Sequence, residues 1–200
     1  MRRPGLTYWL TTLALAEAAG IAVVAATYAA IDRDQIGAGT AAVLLAGGVE
    51  GLCLGSAQAL GLRRLGVRPA PWIILTVLAA VTGYGLSMLG QIGGGAGADT
   101  AFDPPPWLMA LAGAGVGLGM GAVMGLVQSP ALPRNIARRH WVAANVVGWI
   151  PAMAAIMLAA GLAEQGWPLF RVAALGAVSG ALAGACVALA TWIALPRGDD

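Results

Sequence analysis

Residues 47–64 read GGVEGLCLGSAQALGLRR, an apolar stretch in which glycine recurs every four residues. Gly47, Gly51 and Gly55 are followed by Gln58, and two arginines end the stretch. Glycines four residues apart lie on one face of an α-helix, where they let a second helix approach closely. The stretch therefore predicts an apolar helix that packs against a neighbour through a glycine face.

The same pattern is present twice more in the chain. Residues 117–134 repeat the glycines, the glutamine as Gln128 and the closing arginine, whereas residues 176–193 repeat the glycines and carry Val187 at the glutamine position. The repeated glycines are Gly117, Gly121, Gly125, Gly176, Gly180 and Gly184. Self-similarity of this kind predicts an internal repeat of one structural unit.

The composition places these helices in a lipid bilayer. The chain is 59% hydrophobic and 10% charged, with a mean hydropathy of +0.80. So few charges do not cover the surface of a water-soluble protein, and the apolar runs are longer than the roughly ten residues of a membrane β-strand. We predict an all-α integral membrane protein, a single transmembrane domain over residues 1–200. Its six spans are expected at about residues 6–31, 39–62, 72–92, 107–132, 141–162 and 169–195.

The arginines predict the orientation of the six spans. Nine lie on the side of the two chain termini and two, Arg33 and Arg171, on the other. Under the positive-inside rule both termini are cytoplasmic, in the cytoplasmic (inner) membrane of a bacterium. Tryptophan is enriched at membrane–water interfaces, so we expect the tryptophans near the span ends to be interfacial anchors. These are Trp9, Trp72, Trp107, Trp141, Trp167 and Trp192. Arginine is too sparse for a nucleic-acid partner.

The spacing of tryptophan and glycine predicts how the spans pair. Trp72 and Trp141 each open the helix that follows a glycine helix, and Trp9 precedes Gly20 by the same eleven residues that separate Trp72 from Gly83. We therefore expect three pseudo-repeated two-helix hairpins, formed by helices 2 and 3, 4 and 5, and 6 and 1. An axis of threefold pseudosymmetry would then run along the membrane normal. Helices 2, 4 and 6 are expected to form a tight central triangle.

Two carboxylates lie inside spans, which makes them the first candidates for function. Glu17 and Glu50 both fall near mid-bilayer, where no arginine is available to pair with them. An ionisable group at that depth costs several kcal/mol unless it is neutralised or paired. The pair predicts a proton or cation site. The alternatives are protonated acids that clasp two helices, and acids that face a partner subunit; the repeat carries Met120 and Ser179 at the positions equivalent to Glu50.

The remaining polar side chains inside the spans predict helix packing or a polar groove. Gln58 and Gln128 lie one turn inside the cytoplasmic ends of their helices and, on facing helices, are able to bond each other. Asn145 suggests a polar inner face on helix 5. Either these amides clasp helices together, or they line a central polar site whose symmetry is broken by Val187.

Residues at the cytoplasmic ends predict contacts with the bilayer surface. Arginines that suit anionic lipid headgroups are Arg63, Arg64, Arg134, Arg138 and Arg139. His140 is the single histidine; an interfacial position fits it best, and axial ligation of a pigment or haem is the alternative. No metal-binding spacing is present, so neither a metal nor another cofactor is expected.

The repeated GxxxGxxQ face followed by arginine resembles one found in uncharacterised bacterial multi-pass membrane proteins. The resemblance implies the fold and carries no activity. No catalytic motif is present, so we expect no enzyme. The composition favours a non-catalytic integral subunit of a larger membrane complex, packed against partner helices, lipids or pigments. The alternative is a small proton- or cation-coupled permease, or a substrate-binding transporter subunit, that uses Glu17 and Glu50.

Overall fold

The protein is a bundle of six long helices. A computed structural model describes residues 3–31, 36–93, 104–164 and 166–196, and within these ranges it contains helices and no strand. The helices are α1 (Leu6–Ala30), α2 (Ile36–Leu62), α3 (Pro69–Gly93), α4 (Pro106–Gln128), α5 (Arg138–Leu162) and α6 (Leu169–Ala194). The shortest, α4, has 23 residues, which is about 35 Å of helix and exceeds the roughly 30 Å hydrocarbon core of a bilayer. All six are apolar and long enough to cross a membrane, which identifies a multi-pass membrane protein.

Proline and glycine set several of the helix ends. Helix α3 begins at Pro69, three residues before the predicted start, because proline fits the first turn of a helix, where its missing N–H needs no partner. Helix α4 ends at Gln128, and a 3₁₀ turn that contains Pro130 follows it. Gly66 closes the turn between α2 and α3 with φ at +94°, a conformation that favours glycine.

The six helices form a closed ring in chain order. The most extensive packing joins α4 to α5 and α1 to α6. Helices α5 and α6, α2 and α3, and α1 and α2 also pack closely, and the ring is completed where α3 meets α4 less extensively. The central triangle expected from the glycines is therefore wrong. Each glycine face packs instead against one neighbouring helix. A Cβ placed on Gly51 would lie 2.8 Å from Val77 Cα on α3, one on Gly121 would lie 2.6 Å from Val146 Cα on α5, and one on Gly184 would lie 2.8 Å from the backbone of α1.

One end of the bundle carries both ends of the described chain and the α2–α3 and α4–α5 turns. Trp192 Nε1 donates a hydrogen bond to the backbone oxygen of Pro4 at 2.9 Å, and a Cβ on Gly66 would lie 3.8 Å from Pro133. We call this the basic end, because it carries Arg3, Arg63, Arg64, Arg68, Arg134, Arg138 and Arg139. Arg171 lies at the opposite end, with its guanidinium 5.0 Å from the ring centre of Trp167. The predicted positions of Arg2, Arg33 and Arg197 fall outside the described residues.

Three of the expected interfacial tryptophans are instead inside the bundle. Trp9, Trp72 and Trp141 are completely buried, whereas Trp107 is 66% exposed. The prediction of interfacial anchors is wrong for the three because each indole N–H finds a hydrogen-bond acceptor on a neighbouring helix. Tryptophan at the start of α1, α3 and α5 thus belongs to the core of the basic end.

Candidate functional site, a buried carboxyl pair beside a cluster of amides

The two carboxylates meet where α1 packs against α2. Glu17 is 0% exposed and Glu50 is 2% exposed. A Cβ on Gly20, one turn after Glu17, would lie 2.8 Å from Glu50 Cα, so the two backbones are nearly in contact at this level. The same Cβ would lie 2.8 Å from Glu50 Cγ, so the Glu50 side chain also extends along this contact with α1. The structure therefore brings together the two side chains that the sequence singled out.

The two carboxyl groups differ in their hydrogen bonds. The Tyr84 hydroxyl, on α3, donates a short hydrogen bond to Glu50 Oε2. In the part of the chain that the structure describes, neither oxygen of Glu17 has a hydrogen-bond partner. Helix α6 covers Glu17 from the other side, since a Cβ on Gly180 would collide with the Glu17 backbone oxygen. A buried pair of acids with one unpartnered carboxyl group has the chemistry to bind a proton or a small cation.

Tyr84 belongs to this site and was not found by reasoning from the sequence. Gly47 makes room for its ring, because a Cβ on Gly47 would collide with the Tyr84 side chain. The available signal was a lone tyrosine in the apolar run of α3, opposite the first glycine of the motif. Helical periodicity does not show which side chain of a neighbouring helix occupies the space above a glycine, so Tyr84 emerged only from the packing.

One cluster of amides and indoles connects two hairpins. Gln128 Nε2 donates to Gln58 Oε1 and to Thr76 Oγ1, both at 2.9 Å. Trp141 Nε1 donates to Gln128 Oε1 at 3.0 Å, and Trp72 Nε1 donates to Gln58 Oε1 at 3.1 Å. All five side chains are completely buried. These bonds tie α2 and α3 to α4 and α5 near the basic end.

Asn145 lies next to these bonds. We call Gln58, Gln128 and Asn145 together the amide cluster. Asn145 Nδ2 donates to a backbone oxygen of its own helix at 3.0 Å. Within the described ranges its Oδ1 has no partner, and neither has Gln58 Nε2. The third hairpin has a different arrangement, since Val187 stands at the glutamine position and Trp9 Nε1 donates to Thr191 Oγ1 at 3.1 Å, one turn further along α6.

The other predicted residues lie away from the carboxyl pair. Arg134, Arg138 and Arg139 line a shallow pocket at the α4–α5 turn together with Leu132 and Ile136. His140 and the arginines that end α2 are exposed at the basic end, so a pigment or haem bound by the histidine would lie on the surface of the bundle. Among the described residues, no group of three or more histidines, cysteines, aspartates or glutamates is placed to hold a metal ion.

Comparison with known proteins adds no further identification. No protein-family model, no curated protein and no solved structure matches the chain. The functional argument therefore rests on the geometry of the carboxyl pair, Tyr84 and the amide cluster.

Proposed function

We propose that this chain is a small permease of the bacterial cytoplasmic membrane that conducts protons, with Glu17 and Glu50 as its proton site and Tyr84 as the hydrogen-bond donor that positions Glu50. The observation that carries the proposal is the completely buried Glu17 carboxyl group, which has no hydrogen-bond partner among the described residues and belongs to a helix whose backbone nearly touches that of Glu50. The proposed function includes no enzymatic reaction. The composition favoured a non-catalytic subunit and left the permease as the alternative, so the permease now takes first place.

The architecture that we propose is one transmembrane domain of three pseudo-repeated hairpins with both termini in the cytoplasm. Equivalent contacts support the repeat: Gly20 of α1 faces the backbone of Glu50 on α2, and a Cβ on Gly83 of α3 would lie 2.5 Å from Met120 Sδ on α4. Glu50 and Met120 occupy equivalent positions in their units. The acid is thus not required for packing between hairpins, which supports a specific role for it.

Close packing favours a proton over a larger cation. Metal cations such as Ca²⁺ take six to eight oxygen ligands and need a correspondingly open site. Here α1 and α2 are nearly in backbone contact at Gly20, and one oxygen of Glu50 already accepts the Tyr84 hydroxyl. A proton needs only one carboxyl oxygen and adds almost no volume. Two adjacent acids in a desolvated site are also the arrangement in which one proton is shared.

The test is proton movement across vesicles that contain the purified chain. An imposed pH gradient is followed with an entrapped pH-sensitive dye, for protein-free vesicles, the wild type, Glu17→Gln and Glu50→Gln. We expect the wild type to dissipate the gradient and both variants to lose most of that flux, because an amide holds no titrating proton. Glu164→Gln is the matched control, since Glu164 is exposed in the α5–α6 connection.

Two results would refute the proposal. One is a wild type that dissipates the gradient no faster than protein-free vesicles. The other is a Glu17→Gln variant that keeps the wild-type rate while its thermal unfolding is unchanged. Tyr84→Phe distinguishes the positioning of Glu50 from proton binding by the two acids. It removes only the hydroxyl, so we expect a reduced proton flux with a shifted pH dependence instead of a complete loss of flux.

A second function, the non-catalytic subunit of a membrane complex, is supported by a different observation. On the outward face of α4, Gly115 and Gly119 are exposed, and a Cβ on either would meet nothing within 4 Å. An open pair of glycines four residues apart is able to receive a partner helix. Native mass spectrometry after mild detergent extraction tests this second function. Gly119→Leu should release a stoichiometric membrane partner that Glu17→Gln retains. A wild-type chain that is extracted as a monomer without a partner would exclude this function.

A further inference from the structure

The amide cluster leaves one hydrogen-bond donor and one acceptor unused. Gln58 Nε2 and Asn145 Oδ1 find no partner among the residues that the structure describes, although both side chains are completely buried. An unpartnered polar group in the interior destabilises the folded state, so nearly all such groups in native proteins are paired with protein or with ordered water. The two atoms are complementary, because one donates hydrogen bonds and the other accepts them.

The repeat explains why the Asn145 oxygen has no protein partner. Thr76 and Asn145 are equivalent, since each lies four residues after the tryptophan that opens its helix. Gln128 bonds Thr76 from the following hairpin. The residue that would bond Asn145 in the same way is Val187, and α6 does pack there, because a Cβ on Gly148 would lie 2.9 Å from Val187 Cα. Valine has no donor to offer.

The same break in the repeat explains why Gln58 Nε2 finds no acceptor among the described residues. Gly61, one turn after Gln58, packs on the ring of Trp9, with its would-be Cβ 2.5 Å from that ring. One turn further along α1 is Leu13, the equivalent of Thr76 and Asn145. Gln58 therefore lies beside a hairpin whose residues at this level, Leu13 and Val187, are both apolar and completely buried.

We propose that the amide cluster binds an internal water molecule on its Val187 side, which accepts a hydrogen bond from Gln58 Nε2 and donates one to Asn145 Oδ1. Water is the smallest molecule that accepts and donates at once, and buried waters typically make two to four hydrogen bonds to groups that otherwise lack partners. Glu17, one helical turn after Leu13, and Trp149, one turn after Asn145, also carry buried polar atoms that find no partner among the described residues. The inference does not depend on proton binding by Glu17.

The experiment is water-edited solid-state nuclear magnetic resonance of the wild-type chain in bilayers, read at the side-chain amides. We expect magnetisation to pass rapidly from water to the amides of Gln58 and Asn145. Gln128 is the internal control, since its Nε2 already donates to two protein oxygens at the same depth. Absence of transfer to Gln58 would overturn the proposal, and so would equal transfer to Gln128.

Two substitutions at one position make a second, independent measurement. Val187→Gln supplies the amide that the repeat has elsewhere, so we expect it to abolish the transfer to Gln58 and to raise the unfolding temperature by roughly 3 °C. Val187→Leu is the matched apolar control: it displaces the water without replacing its bonds and should lower the unfolding temperature. A Val187→Gln variant that is destabilised as much as Val187→Leu would contradict the site.

Discussion

Replacing the two glutamines of the amide cluster, one at a time, should cost different amounts of stability although the residues occupy equivalent positions. Methionine is the substitute, because it keeps the unbranched shape of glutamine and removes its hydrogen bonds. Gln128 makes three side-chain hydrogen bonds, to Gln58, Thr76 and Trp141. Gln58 takes part in two bonds to protein groups, from Trp72 and from Gln128. The bond to the proposed water is not counted, because a released water regains its hydrogen bonds in bulk solvent.

The expected magnitudes follow from the number of bonds. A hydrogen bond between membrane helices contributes on average roughly 0.6 kcal/mol. Gln128→Met should therefore cost roughly 2 kcal/mol and Gln58→Met roughly 1 kcal/mol. The two residues share one bond, so the double variant should cost less than the sum of the single variants by roughly 0.6 kcal/mol.

Equilibrium unfolding in mixed detergent micelles, followed by far-ultraviolet circular dichroism, measures these differences. Leu126→Met is the control for methionine on the same turn of α4, since Leu126 is 60% exposed and should tolerate it. The reasoning is refuted if Gln58→Met costs as much as Gln128→Met, or if the two substitutions are additive.

Two further predictions concern packing and the membrane surface. Gly121→Ala should destabilise the chain by about 1–3 kcal/mol, because its Cβ would lie 2.6 Å from Val146 Cα. Gly119→Ala, on the outward face of α4, should be neutral or stabilising. Thermal unfolding in detergent compares the two variants, and equal effects would contradict the packing described. Replacing Arg134 and Arg138 by glutamine should reduce the amount of anionic lipid that co-purifies with the chain in detergent and leave neutral lipid unaffected, since both arginines line the exposed pocket at the α4–α5 turn. Unchanged retention of anionic lipid would remove that role.

The helices and their number followed from local properties of the chain. Six long apolar runs separated by polar or proline-containing segments are sufficient to predict six spans, because the thickness of the bilayer sets the length of each run. The repeated glycines likewise indicated where backbones approach closely. The start of α3 at Pro69 differed from the prediction because a proline in the first turn extends a helix instead of ending it.

The direction in which each face points could not be derived in this way. The three glycine faces were expected to meet one another, yet they pack against α3, α5 and α1 within their own hairpins. The tryptophans at the starts of α1, α3 and α5 were expected at the membrane surface, yet they are buried and hydrogen-bonded. Both results depend on how helices are rotated about their axes, which periodicity along a single helix leaves open.

By itself, then, the sequence determined the six spans, the repeated glycine faces and the presence of two acids inside the apolar runs. Only the tertiary structure decided that the glycines serve the hairpins, that Tyr84 bonds Glu50, and that Glu17 has no partner. The physical reason is the range of the interactions. Membrane insertion and close helix approach depend on residues within a few turns of one another, whereas the partner of a buried polar group is chosen by the packing of distant segments.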